Sequence, residues 1–454
     1  MESTLSSSAN SGIEAQPELP RALGLLDSAL LVIGSIIGSG IFLTPSNIAR
    51  RVHTVEGLLL VWVVGGILSF CGALSYAELG AAFPRAGGIY VFLREAYGPL
   101  LAFLYGWSTF FVMQSGSIAT LASAFAIYLG YLSSLPPWLA KMLAVSCIAL
   151  LTLINCFGVR SGALVQNFLT VIKIGSLVGI SLVLFFSSRG TAQHFLNAPV
   201  PTSPFSLSAF GIAMIAALWA YEGWHLLTFA AGEVKNPQKN VTGGLLVGTL
   251  VAIVLYLTVN LAYLWILPFD SIAASSRVAS DAMERALGPI GGTLIALAIL
   301  ISITGATNSN VLAGPRVYFA MARQKLFFKQ VAFVHPQYKV PVVSIVLQGI
   351  WAIILTMVGN FERLFSYVIF VAWIFYAMGG AAVLVLRWKQ PNLERPYKVW
   401  AYPFVPLLFV LMAAAIVLNT VFNDFKNSFW GLVVVLSGLP AYFYWSRKAK
   451  GGAW

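Results

Sequence analysis

Residues 30–45 read LLVIGSIIGSGIFLTP, an apolar stretch interrupted at its centre by Gly34, Gly38 and Gly40. Glycines at that depth of a span release backbone N–H and C=O groups, which are tolerated only where protein or a cavity satisfies them. A second stretch, residues 215–229, reads IAALWAYEGWHLLTF, with Glu222, Gly223 and His225 at its centre. A carboxylate at the middle of a span costs about 2.5–3.5 kcal/mol or more in lipid, so this helix does not face lipid. Small residues in one span alone would suggest close helix packing. Two interrupted spans together point to a site at the membrane midplane.

The rest of the chain supports that frame. Of its 454 residues, 59% are hydrophobic and only 9% charged, a composition that belongs in a membrane rather than in water. A bilayer core about 30 Å thick needs roughly 20 apolar residues per helix. Stretches of that kind lie near 25–50, 57–83, 99–132, 137–158, 164–187 and 206–234, and again near 240–267, 289–322, 341–358, 363–387, 402–421 and 428–446. The chain is therefore read as an all-α polytopic membrane protein with twelve transmembrane helices.

Residues 1–20 are polar and Ser-rich, without the apolar core of a secretory signal, and are expected to be a disordered cytoplasmic start. With the N-terminus inside, eighteen of the 27 Lys and Arg fall in cytoplasmic segments, among them Arg21, Arg85, Arg94, Arg316, Arg323 and Lys448. Eight fall outside and Lys173 is left within span 5. The net charge of +12 thus reports topology, with both termini cytoplasmic, and no nucleic acid partner is expected.

Spans 1 and 6 lie five apart, and an odd separation inverts topology. This predicts a five-plus-five inverted repeat (about 21–190 and 204–390, within a core of 21–390), followed by helices 11 and 12 (400–447) and a tail of 448–454. The ends of a broken helix carry opposite partial charges. The N–H groups opening the second half of span 1, at Ser39, Gly40 and Ile41, suit a carboxylate. The free carbonyls closing the first halves of spans 1 and 6 suit an ammonium. A zwitterionic amino acid fits between them.

Several motifs carry a family resemblance. Gly38-Ser39-Gly40-Ile41-Phe42 resembles the carboxylate motif of the amino acid–polyamine–organocation superfamily. Ser75–Gly80, with Pro84, Gly87, Gly88 and Tyr90, is similar to its span 2 and re-entrant signature. Leu218–Trp224 and Glu233–Pro237 resemble span 6 of the L-type amino acid transporter branch, and Asn308 and Arg316 its span 8. The resemblance runs from about Leu25 to Arg387 and implies the LeuT-type inverted-repeat fold in the cell membrane. It implies sodium-independent exchange of neutral amino acids by alternating access; proton-coupled symport and cationic amino acid transport on the same fold are the alternatives.

Residue by residue, the resemblance implies that the Ser39 and Gly40 amides, next to Gly38, bind the substrate carboxylate. The carbonyls of Ile36, Trp219 and Glu222, about Ala220, receive its amino group, Trp219 closes over the pocket, and His225 lines it. Lys173 is expected to fill the place of a sodium ion, reaching the carbonyl near Gly34 and a hydroxyl such as Ser302. The loop Tyr131–Pro137 contains no Cys, so no disulfide-linked heavy chain is expected as partner.

The remaining groups have plainer readings. Glu222 reads a cationic side chain, couples a proton, or accepts hydrogen bonds within the break. Lys173 is a charged strut or a proton carrier. Glu78 is expected to pair with a loop arginine such as Arg85 or Arg94, and Gly158-xxx-Gly162 and Gly175-xxx-Gly179 to serve helix packing. Cys71, Cys147 and Cys156 are scattered through apolar stretches with no metal spacing, and the four histidines are scattered too. Neither a metal nor a cofactor is expected, and with no nucleophile–base pair the chain is not read as an enzyme.

Overall fold

The computed structural model describes residues 19–133, 135–196, 206–358, 361–423 and 425–450. Most of the expected polar start (1–18), Ser134 of the outer loop and the tail end (451–454) lie outside the described residues.

Among the described residues, nine helices are long and apolar enough to cross a bilayer. A tenth span is the pair Leu25–Ile36 and Gly40–Val52, bent by 43° (span 1). The shorter helices Leu207–Ala220, in span 6, and Val342–Val358, span 9, complete twelve. Span 2 is Val55–Ala82, and a short helix Ile89–Tyr97 follows it. Span 3 starts at Pro99, passes through a π-helical turn at Thr109–Met113 and continues as Gln114–Ser133. Spans 4 and 5 are Pro137–Cys156 and Val159–Phe185. Span 6 resumes as Leu226–Phe229, and span 7 is Pro237–Ile266. Span 8 runs Pro289–Ala313 and on through Pro315–Arg323. Spans 10, 11 and 12 are Phe361–Lys389, Phe404–Asn423 and Phe425–Lys450.

Proline opens spans 3, 4, 7 and 8, where its missing N–H costs nothing because first-turn donors have no helical partner. Span 1 packs on spans 5, 6, 7 and 8, and span 3 on spans 8 and 10, so the broken helices lie inside the bundle. In span 2, 61% of the most apolar window is buried, against 22% in span 11 and 28% in span 12. The last two spans are therefore peripheral. Exposed Leu164, Phe168, Leu411 and Phe422 form part of the apolar outer belt that a bilayer would cover.

Two sequence expectations change. Glu78 takes neither Arg85 nor Arg94. Its carboxylate accepts from Arg387 at 2.6 and 2.9 Å and from the Val399 N–H at 2.7 Å, with Arg395 at 3.4 Å. The end of span 10 brings Arg387, and the segment after it brings Arg395 and the Val399 N–H, to this buried acid on span 2. Arg85 approaches Glu95 instead. Arg316, counted among the cytoplasmic basic residues and placed in span 8 by the resemblance, is buried inside the continuing helix of span 8. Of the glycine pairs, Gly162 packs closely, since a Cβ there would meet Asn155 and Leu312, while Gly158 caps span 5 at φ +122°. A side chain at Gly175 or Gly179 would meet nothing within 4 Å, so the second pair does not pack as expected.

Candidate functional site

The first half of span 1 ends at Ile36, leaving carbonyls without helical donors at the centre of the bundle. Side chains from three other spans meet them. Lys173 of span 5 donates to the carbonyls of Gly34 and Ile37, both at 2.7 Å. Ser302 of span 8 lies 3.1 Å from the Ile37 oxygen and 2.9 Å from that of Gly38. Tyr256 of span 7 lies 2.9 Å from the Ile36 carbonyl and 3.0 Å from that of Ala220 in span 6. Ser302 therefore differs from its expected part: it shares the Ile37 carbonyl with Lys173 and holds the break beside it. Each buried carbonyl would otherwise carry a desolvation penalty of about 1–3 kcal/mol.

Span 6 is interrupted over Tyr221–His225. Gly223 there has φ +117°, and a Cβ on it would lie 2.7 Å from the backbone of Ser35. The Ser35 hydroxyl reaches the Gly223 carbonyl at 3.0 Å. On the other side of the breaks, a Cβ on Gly40 would stand 2.7 Å from the Ala220 Cα. Only glycine permits either approach, so the two breaks press together at two points. A valine at Gly40 would therefore disturb the fold as well as crowd the cavity. The clash is with the backbone of span 6.

A cavity lies where the breaks meet. Its walls include all eight residues named from sequence for the substrate: Ile36, Gly38, Ser39, Gly40, Trp219, Ala220, Glu222 and His225. The second half of span 1 begins at its edge, with Ser39 as N-cap and a buried, unpartnered Ser39 hydroxyl. First-turn N–H groups at such a helix start favour an anion. Lys173, Gly34 and Ser302 lie behind this wall, bonded to the break.

The sequence reading missed the opposite wall, made by Gln114, Ser117 and Thr120 of span 3, Ala306 and Asn310 of span 8 and Val368 of span 10. Gln114 donates to Asn310 Oδ1 at 2.7 Å. A signal existed: Gln114, Ser117 and Thr120 recur at threes, which puts polar groups on one helix face. The π-helical turn just before Gln114 adjusts that face, and such turns favour functional positions. Tyr376 of span 10 was missed as well. Its hydroxyl donates to Glu222 Oε1 at 2.9 Å and stands 3.1 Å from His225 Nε2. The Glu222 carboxylate is thus held inside the break, and His225 Nδ1 is buried without a partner. Among the described residues no group of His, Cys, Asp and Glu could hold a metal ion.

Comparison with known proteins gives consistent matches. A family model described as amino acid permease matches residues 23–439. The serine/threonine exchanger SteT of Bacillus subtilis (strain 168) is 34% identical over 435 residues, covering 95% of this chain and 98% of that protein. The b(0,+)-type amino acid transporter 1 of Mus musculus is 31% identical over 432 residues, covering 94% and 88%. The large neutral amino acids transporter small subunit 2 of Mus musculus is 28% identical over 445 residues, covering 95% and 83%.

Proposed function

The chain belongs to the amino acid permease family, and from that premise we propose that it exchanges neutral amino acids across the cell membrane by alternating access, without sodium. The observation that carries this reading is the meeting of the two breaks at one cavity, with opposite partial charges on its two sides. The substrate carboxylate takes the N–H groups of Ser39 and Gly40 at the start of the second half of span 1. Its ammonium takes carbonyls of the first half of span 1 and of span 6, at Ile36, Trp219 and Glu222. Tyr256 supports the second placement: one hydroxyl proton serves two carbonyls, Ile36 and Ala220, so acceptor capacity remains for an ammonium. Trp219 closes over the bound molecule. The substrate side chain points to His225 and to the polar wall of Gln114, Ser117 and Asn310.

Sodium independence rests on Lys173. Its ammonium already occupies the Gly34 and Ile37 oxygens, and a sodium ion would need oxygens of that kind. The serine/threonine exchange named for SteT and the polar wall both support a small neutral substrate. The chain works with both termini cytoplasmic, as two inverted repeats of about 21–190 and 204–390, and without a disulfide-linked heavy chain.

The test is uptake of labelled amino acids into proteoliposomes in sodium-free buffer, with and without unlabelled amino acids inside. Uptake that depends on internal amino acid is the expected result. Uptake into empty vesicles that follows an inward proton gradient would overturn exchange in favour of symport.

A further inference from the structure

A second cavity lies away from the breaks, at the feet of several spans. It opens among Arg21 just before span 1, Arg85 and Arg94 in the connection from span 2 to span 3, Gly232 at the foot of span 6, and Arg323 at the end of span 8. Four guanidinium groups thus line one hollow, and no Asp or Glu is among the described residues lining it. Glu95 approaches Arg85 at 3.8 Å from beside the cavity. The guanidinium of Arg323 lies over the Phe319 ring, 5.7 Å from its centre. The rest of the lining is largely apolar: Leu19 and Phe319 are buried in a small cluster of their own with Val334, and both reach this cavity.

We infer that this hollow binds a phosphate-bearing anion. Guanidinium forks match phosphate oxygens bidentately, and four of them suit a tetrahedral group with several acceptors better than a single carboxylate. Like charges gathered in a concave, low-dielectric wall focus the field and concentrate counter-ions there. The apolar wall beside the arginines matches the glycerol and acyl region of a phospholipid, while the arginines alone would serve free phosphate. Arginines at span ends on a basic face also meet anionic headgroups. The anion links the start of span 1, the helix Ile89–Tyr97 and the end of span 8, so its binding stabilises the folded chain. Nothing in this depends on which amino acid the midplane site carries.

The test uses the purified full-length chain in a neutral detergent at fixed ionic strength, with its melting temperature followed against phosphatidylglycerol, phosphatidylcholine and inorganic phosphate. A saturable rise with phosphatidylglycerol alone is the expected result and assigns a lipid headgroup. A rise with inorganic phosphate supports the same site with a soluble ligand. In Arg21→Gln/Arg94→Gln the apparent affinity should fall about thirtyfold, the effect of removing two charges near an anionic surface. Arg21 is exposed and Arg94 half-buried, so the variant keeps its fold, which its melting temperature without additive checks. Arg447→Gln/Lys448→Gln, on the last turns of span 12, should bind as wild type. No rise with either anion, an undiminished rise in the first variant, or an equal loss in the second would each overturn the inference. Amino acid binding measured on the same samples keeps this outcome separate from that of the midplane site.

Discussion

Gly38 and Gly40 stand two residues apart in one break, and a methyl group does different things at each. At Gly38 an added Cβ would lie 3.7 Å from Ala306 Cβ and 3.9 Å from Leu121 Cδ2, ordinary contact distances inside the cavity. Gly38→Ala should therefore keep its melting temperature close to wild type while occupying space the substrate needs. Substrate affinity is expected to weaken on the order of tenfold, since one excess methyl costs about 1–3 kcal/mol in a packed site. Gly40→Val meets the backbone of Ala220 and should lower both affinity and melting temperature. Paired binding and thermal-melt measurements separate the two. Gly38→Ala with wild-type affinity would take Gly38 out of the substrate wall.

Between elements, coupling runs through side chains that join one break to a neighbouring span. Lys173 joins span 5 to span 1, and Lys173→Ala takes the lysine donor from the Gly34 carbonyl and leaves the Ile37 carbonyl to Ser302. Exchange should stall while some substrate binding remains, as read by counterflow and by binding to detergent-solubilised protein. Normal exchange in this variant would show that Lys173 neither props the break nor takes part in the cycle. At the feet of spans 1 and 6, the Ala22 and Leu23 N–H groups donate to the Glu233 carbonyl, and Lys235 N–H donates to that of Leu23. The Glu233 carboxylate is held by Arg316 of span 8 at 2.7 and 2.9 Å, with both groups buried. Arg316→Met strands a buried carboxylate, and the expected loss is about 3–5 kcal/mol of stability. Adding Glu233→Gln should recover part of the melting temperature. A double variant no better than Arg316→Met would assign the loss to packing rather than to charge.

At the scale of the whole molecule, the proposed orientation, with both termini cytoplasmic, rests on the distribution of basic residues. A Lys448→Cys variant, at the end of span 12, should react with a membrane-impermeant thiol reagent only after cells are opened. Asp270→Cys, at an exposed position of the helix Phe269–Ala274 between spans 7 and 8, should react in intact cells. The opposite pattern would invert the topology. Spans 11 and 12 pack at the edge of the bundle, with Phe409 of span 11 reaching inward to the Trp224 ring at the span 6 break. Apolar substitutions on their outer faces should leave exchange unchanged.

The two breaks were legible in the sequence because a glycine or a carboxylate in the middle of an apolar run carries its penalty in any fold; Ile36, Trp219 and His225, proposed for the substrate, were reached only through the family resemblance. A break is a local property of the chain, and so is a run long enough to span lipid. The partners of those breaks were not legible. Tyr256 lies 220 residues from Ile36, Tyr376 lies 154 from Glu222, and Arg387 lies 309 from Glu78. A lone Tyr or Arg in a helix carries no mark of what it will face. The sequence by itself determined that two helices break at the midplane and leave polar backbone to be satisfied. Only the tertiary structure decided which side chains satisfy it, because hydrogen bonding and ion pairing across the bundle depend on how whole helices pack.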